Sequence, residues 1–350
     1  MKKLFILPLM VLLLLAVGCK SDKSKDKEST IDKAKVDNVI TKENYVVAET
    51  DWNFTKQQKQ QTVNTFTHNP PVSIENQDII RSNRDVMYSL AVVDVSEGAT
   101  LSVPERDAFQ IIHVMDENHL SHFVIRAGES RTITPDDISG GNHVYLLART
   151  KITEDMQESL AAQQAMIIQA NSSKPYSSKG FNEEELIKFR NSLTAEFIAG
   201  NVNIIEHKSF CETMDDVDPT SYLYAAAVGW GGLPSYTAQY LPTVNGQGET
   251  MPQKYVIPKP DLDWENGGFF SLTTYDSDGW IVEDNFYIDH NKMEDNGENF
   301  IIYLNDPQKE NSITVQEGWT GVFRFYLPKN ELEFIDFIDG IRDIKVKPNN

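Results

Sequence analysis

The chain has 350 residues, of which 52 are acidic and 32 are basic, and its formal net charge at pH 7 is −20. A surface this acidic repels phosphate backbones, so nucleic acid is not an expected partner. A chain of this length can form two domains of ordinary size. It has two cysteines, Cys19 and Cys211. The N-terminal pattern indicates that Cys19 carries a lipid. Cys211 then has no partner cysteine in the chain, so no intrachain disulfide is expected.

The N-terminus has the pattern of a bacterial lipoprotein export signal. Two lysines precede the apolar run Leu4–Leu15, and small residues then lead to Cys19. The run is short for a membrane span, which takes ~20 residues. We therefore expect residues 1–18 to be removed as a signal peptide. Cys19 then becomes the lipid-modified, palmitate-carrying first residue and holds the protein to a membrane of the cell envelope.

The residues after Cys19 indicate which membrane holds the lipoprotein. Lys20 and Ser21 follow it, in place of the Asp that retains lipoproteins in the inner membrane of enteric bacteria. This favours the outer membrane, on either its periplasmic or its surface face. Lysines and acidic residues then alternate without an apolar cluster, and such segments cannot bury enough surface to fold. Residues 19–50 are therefore predicted to be a flexible charged tether.

The region from Met87 to Thr150 has the pattern of a β-domain. Short apolar runs recur at a spacing of roughly ten residues, with Gly-, Pro- and Asp-containing turns between them, which indicates a sandwich or a barrel. The predicted strands include Tyr88–Val93, Phe109–Val114 and His143–Ala148.

Helical spacing follows this region. Ile152–Gln169 lacks Gly and Pro and is predicted to be a helix. In a second predicted helix Asn182 is the N-cap, three glutamates lie at the positive helix end and Gly200 ends the segment. The domain boundary is placed among these helices, near residue 200.

The C-terminal part returns to strands. Phe269–Tyr275 leads into the turn Asp276–Gly279, and Trp280–Val282 is expected to be the returning strand. Asn296-Gly297 before Phe300–Leu304 predicts a hairpin. Trp319–Leu327 supplies a late strand. The chain is thus divided into an N-terminal β-domain with trailing helices, 51–200, and a C-terminal β-domain, 201–350.

Two sequence motifs resemble known families. The run Arg81–Ser89, supported by Val103-Pro104 and Leu147–Thr150, resembles the N-terminal domain of unknown function 1254. The run Phe269–Gly279, supported by Phe323–Pro328, resembles domain of unknown function 1214. The two families usually occur together in this order, and the resemblance covers roughly Phe54 to Pro328.

The resemblance implies a fold and no settled activity. It implies a mostly β protein with α insertions, with two jelly-roll-like β-sandwich domains bridged by helices, often exported and often oligomeric. Phe270 stands where the second family usually has Trp, and the Arg that many members place before the Tyr at 287 is missing. No ligand role of that Arg is transferred to this chain.

Strand alternation suggests a candidate binding site. In the late strand Arg324 and Tyr326 share one face, opposite Phe323 and Phe325, and similar alternation holds in the earlier strand. If these polar faces line a cleft between the domains, they suit a sugar or a small carboxylate. A solvated outer sheet face is the alternative explanation. The predicted ligand-binding residues are Asn83, Asp85, Tyr88, Ser271, Thr273, Tyr275, Arg324 and Tyr326.

Histidines offer a competing hypothesis. His113 and His143 are weak candidates for a metal site of the kind that jelly rolls build from adjacent strands. The close His-x-His pair that is typical of such sites is missing, so no cofactor is expected. Binding of a metal ion is kept as an alternative. Cys211 is assigned to packing as a small buried residue rather than to nucleophilic catalysis.

The leading functional prediction is a lipid-anchored cell-envelope protein that binds a small molecule or a glycan. One alternative is an envelope hydrolase or metal-dependent enzyme that uses the interdomain cleft or the histidines. Another is a structural, homo-oligomeric envelope component. Ligand-induced thermal stabilisation, substrate turnover and a large symmetric assembly would respectively distinguish the three.

Overall fold

The computed structural model describes residues 39–77, 80–244 and 251–349. The predicted signal peptide, Cys19 and most of the predicted tether lie outside these residues. The described residues form 17 strands and five α-helices, and none of these helices has the length and apolarity needed to cross a membrane. The helices are α1 Tyr45–Gln60, α2 Met156–Gln164, α3 Glu183–Ile198, α4 Pro219–Gly229 and α5 Glu331–Ile341.

Eight strands form a two-sheet sandwich in the N-terminal part. Its five-stranded antiparallel sheet has the order β1-β2-β7-β4-β5, and its three-stranded sheet has the order β6-β3-β8. Alternating side chains such as Val93, Leu101 and Leu146 fill the space between the sheets. The strands are β1 Thr67–His68, β2 Val86–Asp94, β3 Ala99–Ser102, β4 Gln110–Met115, β5 Ser121–Arg126, β6 Ser130–Ile133, β7 His143–Lys151 and β8 Ile167–Ala170.

Nine strands form a second sandwich in the C-terminal part. One sheet has the order β12-β11-β16-β9, and the other has the order β13-β14-β10-β17, with β15 parallel to β14. Its core contains Tyr255, Phe270 and Phe323, and α5 adds Phe334. The strands are β9 Ala238–Val244, β10 Gln253–Pro258, β11 Phe269–Tyr275, β12 Tyr287–Asp289, β13 Glu294–Asp295, β14 Asn299–Leu304, β15 Ser312–Ile313, β16 Thr320–Tyr326 and β17 Lys347–Pro348.

Helices α1, α3 and α4 pack together around a core of their own that includes Tyr45, Leu193 and Leu223. Phe54 of α1 also contacts the outer face of the five-stranded sheet at Val92 and Tyr145. The helices therefore cover one face of the N-terminal sandwich.

The predicted fold class is confirmed. The protein is mostly β with helical insertions, consistent with β-sandwich domains. Among the described strands, β1–β8 pair only with one another, and so do β9–β17. From Val39 onward the chain nevertheless forms one compact unit. The division at residue 200 therefore stays a prediction.

The predicted tether extends too far along the chain. Helix α1 begins at Tyr45, and Tyr45, Val46 and Ala48 are buried. The tether prediction is therefore wrong for residues 45–50. The charged composition of the segment led to the wrong prediction, because composition alone does not show that apolar residues share one face of a helix.

Two other expected elements differ in the structure. Helix α2 ends at Gln164, and Ile167–Ala170 forms strand β8 against β3, where the sequence predicted helix to Gln169. The expected strand Trp280–Val282 is irregular, and β12 pairs with β11 instead. For β8 and β12 the available edge of a neighbouring strand selected the conformation, which local propensity does not specify.

Local signals for turns and caps were reliable. The Asn182 side chain accepts a hydrogen bond from the Glu185 amide, 3.0 Å away, and so caps α3. Gly200 follows that helix with a φ of 73°. The Asn296-Gly297 signal lies between the antiparallel strands β13 and β14, as predicted.

Candidate functional site

The predicted alternation in β11 and β16 is confirmed. Phe270, Phe323 and Phe325 point into the C-terminal core. Ser271 lies opposite Arg324 in the register of the two strands, and both point to the other face. That face is not solvated, because Ser271 and Thr273 are completely buried and Arg324 is 5% exposed. The explanation by a solvated outer sheet is therefore wrong.

All eight predicted residues come together where this face meets the segment before β2. Asn83, Asp85 and Tyr88 approach it from the N-terminal part. Around them Val86, Phe109 and Ile111 pack on Phe269 and Leu327. We refer to this polar cluster, formed by the eight predicted residues, as the seam cluster.

Tyr326 is the centre of one half of the seam cluster. Its hydroxyl accepts a hydrogen bond from Asn83 Nδ2 (2.8 Å) and donates one to Asp85 Oδ2 (2.9 Å). Burial raises the pKa of Asp85, although the Arg324 charge and the hydroxyls of Ser271 and Tyr326 oppose the rise. Burial also raises the pKa of Tyr326 well above its ordinary value, so its hydroxyl remains a donor.

Arg324 organises the other half. Its guanidinium donates to Thr273 Oγ1 (3.0 Å), to the Tyr275 hydroxyl (2.9 Å) and to the backbone carbonyl of Arg81 (2.9 Å). The Tyr275 hydroxyl in turn donates to the carbonyl of Ser82 at 2.8 Å. These contacts join strands of the C-terminal sandwich to the backbone of the N-terminal part.

Arg149 and Tyr240 extend the cluster and were missed as site residues. The Arg149 guanidinium lies 5.5 Å from the centre of the Tyr88 ring and donates to the Gly231 carbonyl at 2.8 Å. Tyr240 packs with the buried residues around Tyr88 and Tyr326. Arg149 belongs to the Leu147–Thr150 run quoted for the family resemblance, and this was the one available signal.

The geometry of the seam cluster favours a role in joining the two sandwiches. Its donors and acceptors mainly meet one another, and the Lys151–Asp289 ion pair (3.4 Å) spans the same junction. Tyr275 borders a cavity of about 10 Å³, which is room for about one water molecule. Ligand binding by the seam cluster remains a prediction.

The histidine candidates for a metal site do not come together. His113 Nε2 is 2.9 Å from Ser121 Oγ, and His143 Nε2 donates to the Lys174 carbonyl at 2.8 Å. Within the part of the chain that the structure describes, no group of three or more His, Cys, Asp or Glu side chains is placed to hold a metal ion.

Cys211 is half-buried rather than buried. Burial and the nearby Asp216 carboxylate raise the pKa of its thiol to about 11. The thiol is therefore protonated at neutral pH, which disfavours a nucleophilic role.

A larger concave surface lies elsewhere, at the edge strands β5 and β6. It is an open groove with a volume of about 610 Å³, and its lining is completed by Glu212 and Tyr236, which lie before and after α4 in the sequence. We name it the β5–β6 groove, and its lining includes His122, Phe123, Glu129, Arg131, Glu212 and Tyr236. The Ser121 amide donates to the Cys211 carbonyl at 2.9 Å. This hydrogen bond holds the segment that contains Glu212 beside β5.

His122 is oriented in this groove by a buried carboxylate. Its Nε2 lies 3.0 Å from Asp116 Oδ2, and Asp116 is completely buried. The backbone amides of Asn118, Leu120 and Ser139 also donate to Asp116. The carboxylate is therefore fixed, and it fixes the histidine ring.

Aromatic and charged side chains lie close together in the groove. The Arg131 guanidinium stacks over the Phe123 ring, 3.6 Å from its centre. The Tyr236 hydroxyl donates to Glu212 Oε1 at 3.2 Å. Sequence reasoning missed these residues because they are more than a hundred positions apart and form no motif.

Part of the N-terminal half matches a known protein family. Residues 63–174 match a protein family of unknown function, DUF1254. This confirms the first part of the predicted resemblance. The resemblance of the C-terminal part to domain of unknown function 1214, and export as a lipoprotein, stay predictions. The search of functionally curated proteins found no match.

Two solved structures of uncharacterised proteins are similar to this chain. The VPA0106 protein from Vibrio parahaemolyticus has a TM-score of 0.61 at 16% identity, over 83% of this chain and 94% of that one. A protein from Burkholderia cenocepacia has a TM-score of 0.43 at 12% identity, over 87% and 88% of the two chains. The first similarity is evidence for the fold alone.

Proposed function

We propose that the protein is a lipid-anchored cell-envelope protein that binds a small molecule or a short glycan in the β5–β6 groove. The size of the groove is the main support. Its volume of about 610 Å³ falls within the range of about 300–1,000 Å³ that is typical of ligand sites. The seam cluster, by contrast, borders a cavity of only about 10 Å³, and most of its polar groups are paired within the chain, with Asp85 Oδ1 and Ser271 Oγ as exceptions.

The composition of the groove also suits such a ligand. Phe123 and Tyr236 supply aromatic surface, and His122, Arg131 and Glu212 supply polar groups directed to the same space. Sites for sugars and other small polar molecules combine aromatic walls with a few convergent polar groups.

A thermal-shift screen with sugars, carboxylates and metal ions tests this proposal. A ligand that binds the folded protein raises its melting temperature by mass action. We expect Phe123→Ala and Tyr236→Ala to abolish the shift, whereas Trp280→Ala, which removes an exposed aromatic residue outside the groove, leaves it unchanged. A shift that survives both groove substitutions would contradict the proposed location. Circular dichroism checks that the variants are folded.

A second candidate function, hydrolysis, is favoured by the His122–Asp116 pair. A histidine oriented by a buried carboxylate is suited to take a proton from an attacking water molecule. We expect His122→Gln to abolish turnover of 4-nitrophenyl esters or glycosides, with His207→Gln as the control. If the unmodified protein turns over none of these substrates, hydrolysis is contradicted and ligand binding remains as the proposed function.

The anchor and the second family resemblance belong to the same proposal. The export pattern that ends at Cys19 supports the anchor, and the Phe269–Gly279 motif supports similarity of the C-terminal part to domain of unknown function 1214. Incorporation of a palmitate analogue in cells should occur in the unmodified protein and be lost in Cys19→Ser. Equal labelling of both proteins would contradict the anchor.

A further inference from the structure

The charged groups of the β5–β6 groove differ in how they are paired. Glu129 Oε2 accepts a hydrogen bond from the Arg126 amide at 2.7 Å, and Glu212 accepts one from Tyr236. Among the described residues, no carboxylate oxygen lies within 4.0 Å of the Arg131 guanidinium. The acidic groups of the groove therefore accept hydrogen bonds from neutral donors, whereas Arg131, which lies near Asp137, forms no close ion pair and is the one arginine of the groove lining.

The stacking of Arg131 on Phe123 prepares it for recognition of an anion. Contact with the ring, 3.6 Å from its centre, restricts the plane of the guanidinium and leaves its N–H groups available at the edge. A guanidinium held in this way binds a carboxylate through two parallel hydrogen bonds. Little additional ordering is then needed when the ligand binds.

Neighbouring groups suit the hydroxyls of a sugar. His122 and Tyr236 can exchange hydrogen bonds with hydroxyl groups, and Glu212 can accept them. Because the formal net charge of −20 repels anions at a distance, selectivity for an acidic ligand has to come from a local cation. Arg131 is placed to be that cation.

We infer that the β5–β6 groove selects sugars of the uronic acid class, which bear a carboxylate, and that Arg131 binds this carboxylate. This inference rests on the proposed function. Neutral sugars of the same shape would keep the hydroxyl contacts and lose the charged one. The inference therefore concerns selectivity, whereas the proposed function concerns binding as such.

Titration calorimetry with glucuronate, its uncharged methyl ester and glucose tests the inference. We expect glucuronate to bind about tenfold or more tightly than either neutral sugar, as a charged hydrogen-bonded pair contributes. Arg131→Gln should remove that difference. Arg342→Gln, which removes an exposed arginine paired with Asp339 on α5, should retain it.

The contrary outcomes separate the two proposals. Equal affinity for the three sugars, lost in Phe123→Ala, would overturn selectivity for acids and keep the groove as a binding site. If none of the three sugars binds at millimolar concentration, the uronic acid inference is wrong, and the wider ligand screen decides the proposed function independently. Glucuronate binding that is unchanged in Arg131→Gln would also overturn the inference.

Discussion

At the scale of single residues, the seam cluster illustrates how buried polar groups specify an arrangement. Tyr326 is completely buried, and its hydroxyl has one partner that donates to it and one that accepts from it. A buried polar group that loses its partner retains the cost of its desolvation. Both partners of Tyr326 belong to the segment before β2, so the hydroxyl links distant parts of the chain.

Replacing Tyr326 with Phe tests this link. Tyr326→Phe removes one hydroxyl with almost no change in side-chain volume and leaves the Asp85 carboxylate without that donor. We expect the free energy of unfolding, measured by urea denaturation, to fall by about 1–3 kcal/mol.

Tyr303 provides a matched control. Its hydroxyl donates to Glu294 at 2.9 Å, but Glu294 is exposed and can bind water instead. Tyr303→Phe should therefore have a smaller effect. Equal losses in the two variants would show that the Tyr326 hydroxyl has no special role.

Alternation along a strand made part of this cluster predictable. The positions of Arg324 and Tyr326 relative to Phe323 follow from the two-residue period of a β-strand. Leu327 does not continue this alternation, because it packs with Tyr326 rather than with Phe325. Its φ of 58° places it in the left-handed region, where the strand alternation ends.

At the scale of secondary-structure elements, the boundaries with a chemical signal were predictable. Helix α3 begins after an Asn whose side chain satisfies a free backbone amide, and this pattern is readable from sequence. Strand β8 has no such signal. Its conformation depends on pairing with β3, a strand more than 60 residues earlier in the chain.

The cap of α3 allows a prediction at this scale. Asn182→Ala should lower the free energy of unfolding by about 1 kcal/mol, because the Glu185 amide loses its acceptor. The control is Asn201→Ala, since Asn201 is exposed just beyond the other end of the same helix. Thermal denaturation of both variants measures the difference, and an equal effect at the two positions would argue against the cap.

At the scale of the whole molecule, histidines with lowered pKa values lie buried in the N-terminal sandwich and half-buried in the C-terminal one, and they make stability depend on pH. Burial lowers the pKa of His119 and of His290 from 6.5 to about 4 and lowers that of His113 as well. The folded state therefore binds fewer protons than the unfolded state between pH 6.5 and about 4. Buried Asp85 and Glu49, whose pKa values are raised by burial, act in the opposite direction.

We therefore expect the protein to lose stability as the pH falls from 6.5 toward 4. Each of these histidines contributes up to about 1.4 kcal/mol per pH unit within that window. His119→Asn should reduce the slope of the melting temperature against pH, whereas His207→Asn, at a half-buried surface position, should not. An unchanged slope in His119→Asn would contradict the assignment.

The sequence alone determined the β-rich class, the turns, the cap of α3 and the side of each strand on which a residue lies. These follow from interactions between near neighbours in the chain and from the two-residue period of a strand. Tertiary structure alone decided that the segment around Asn83 meets β16, and that Phe123, Arg131 and Tyr236 share one groove. Those contacts join residues far apart in sequence, and they depend on which buried surfaces pack together.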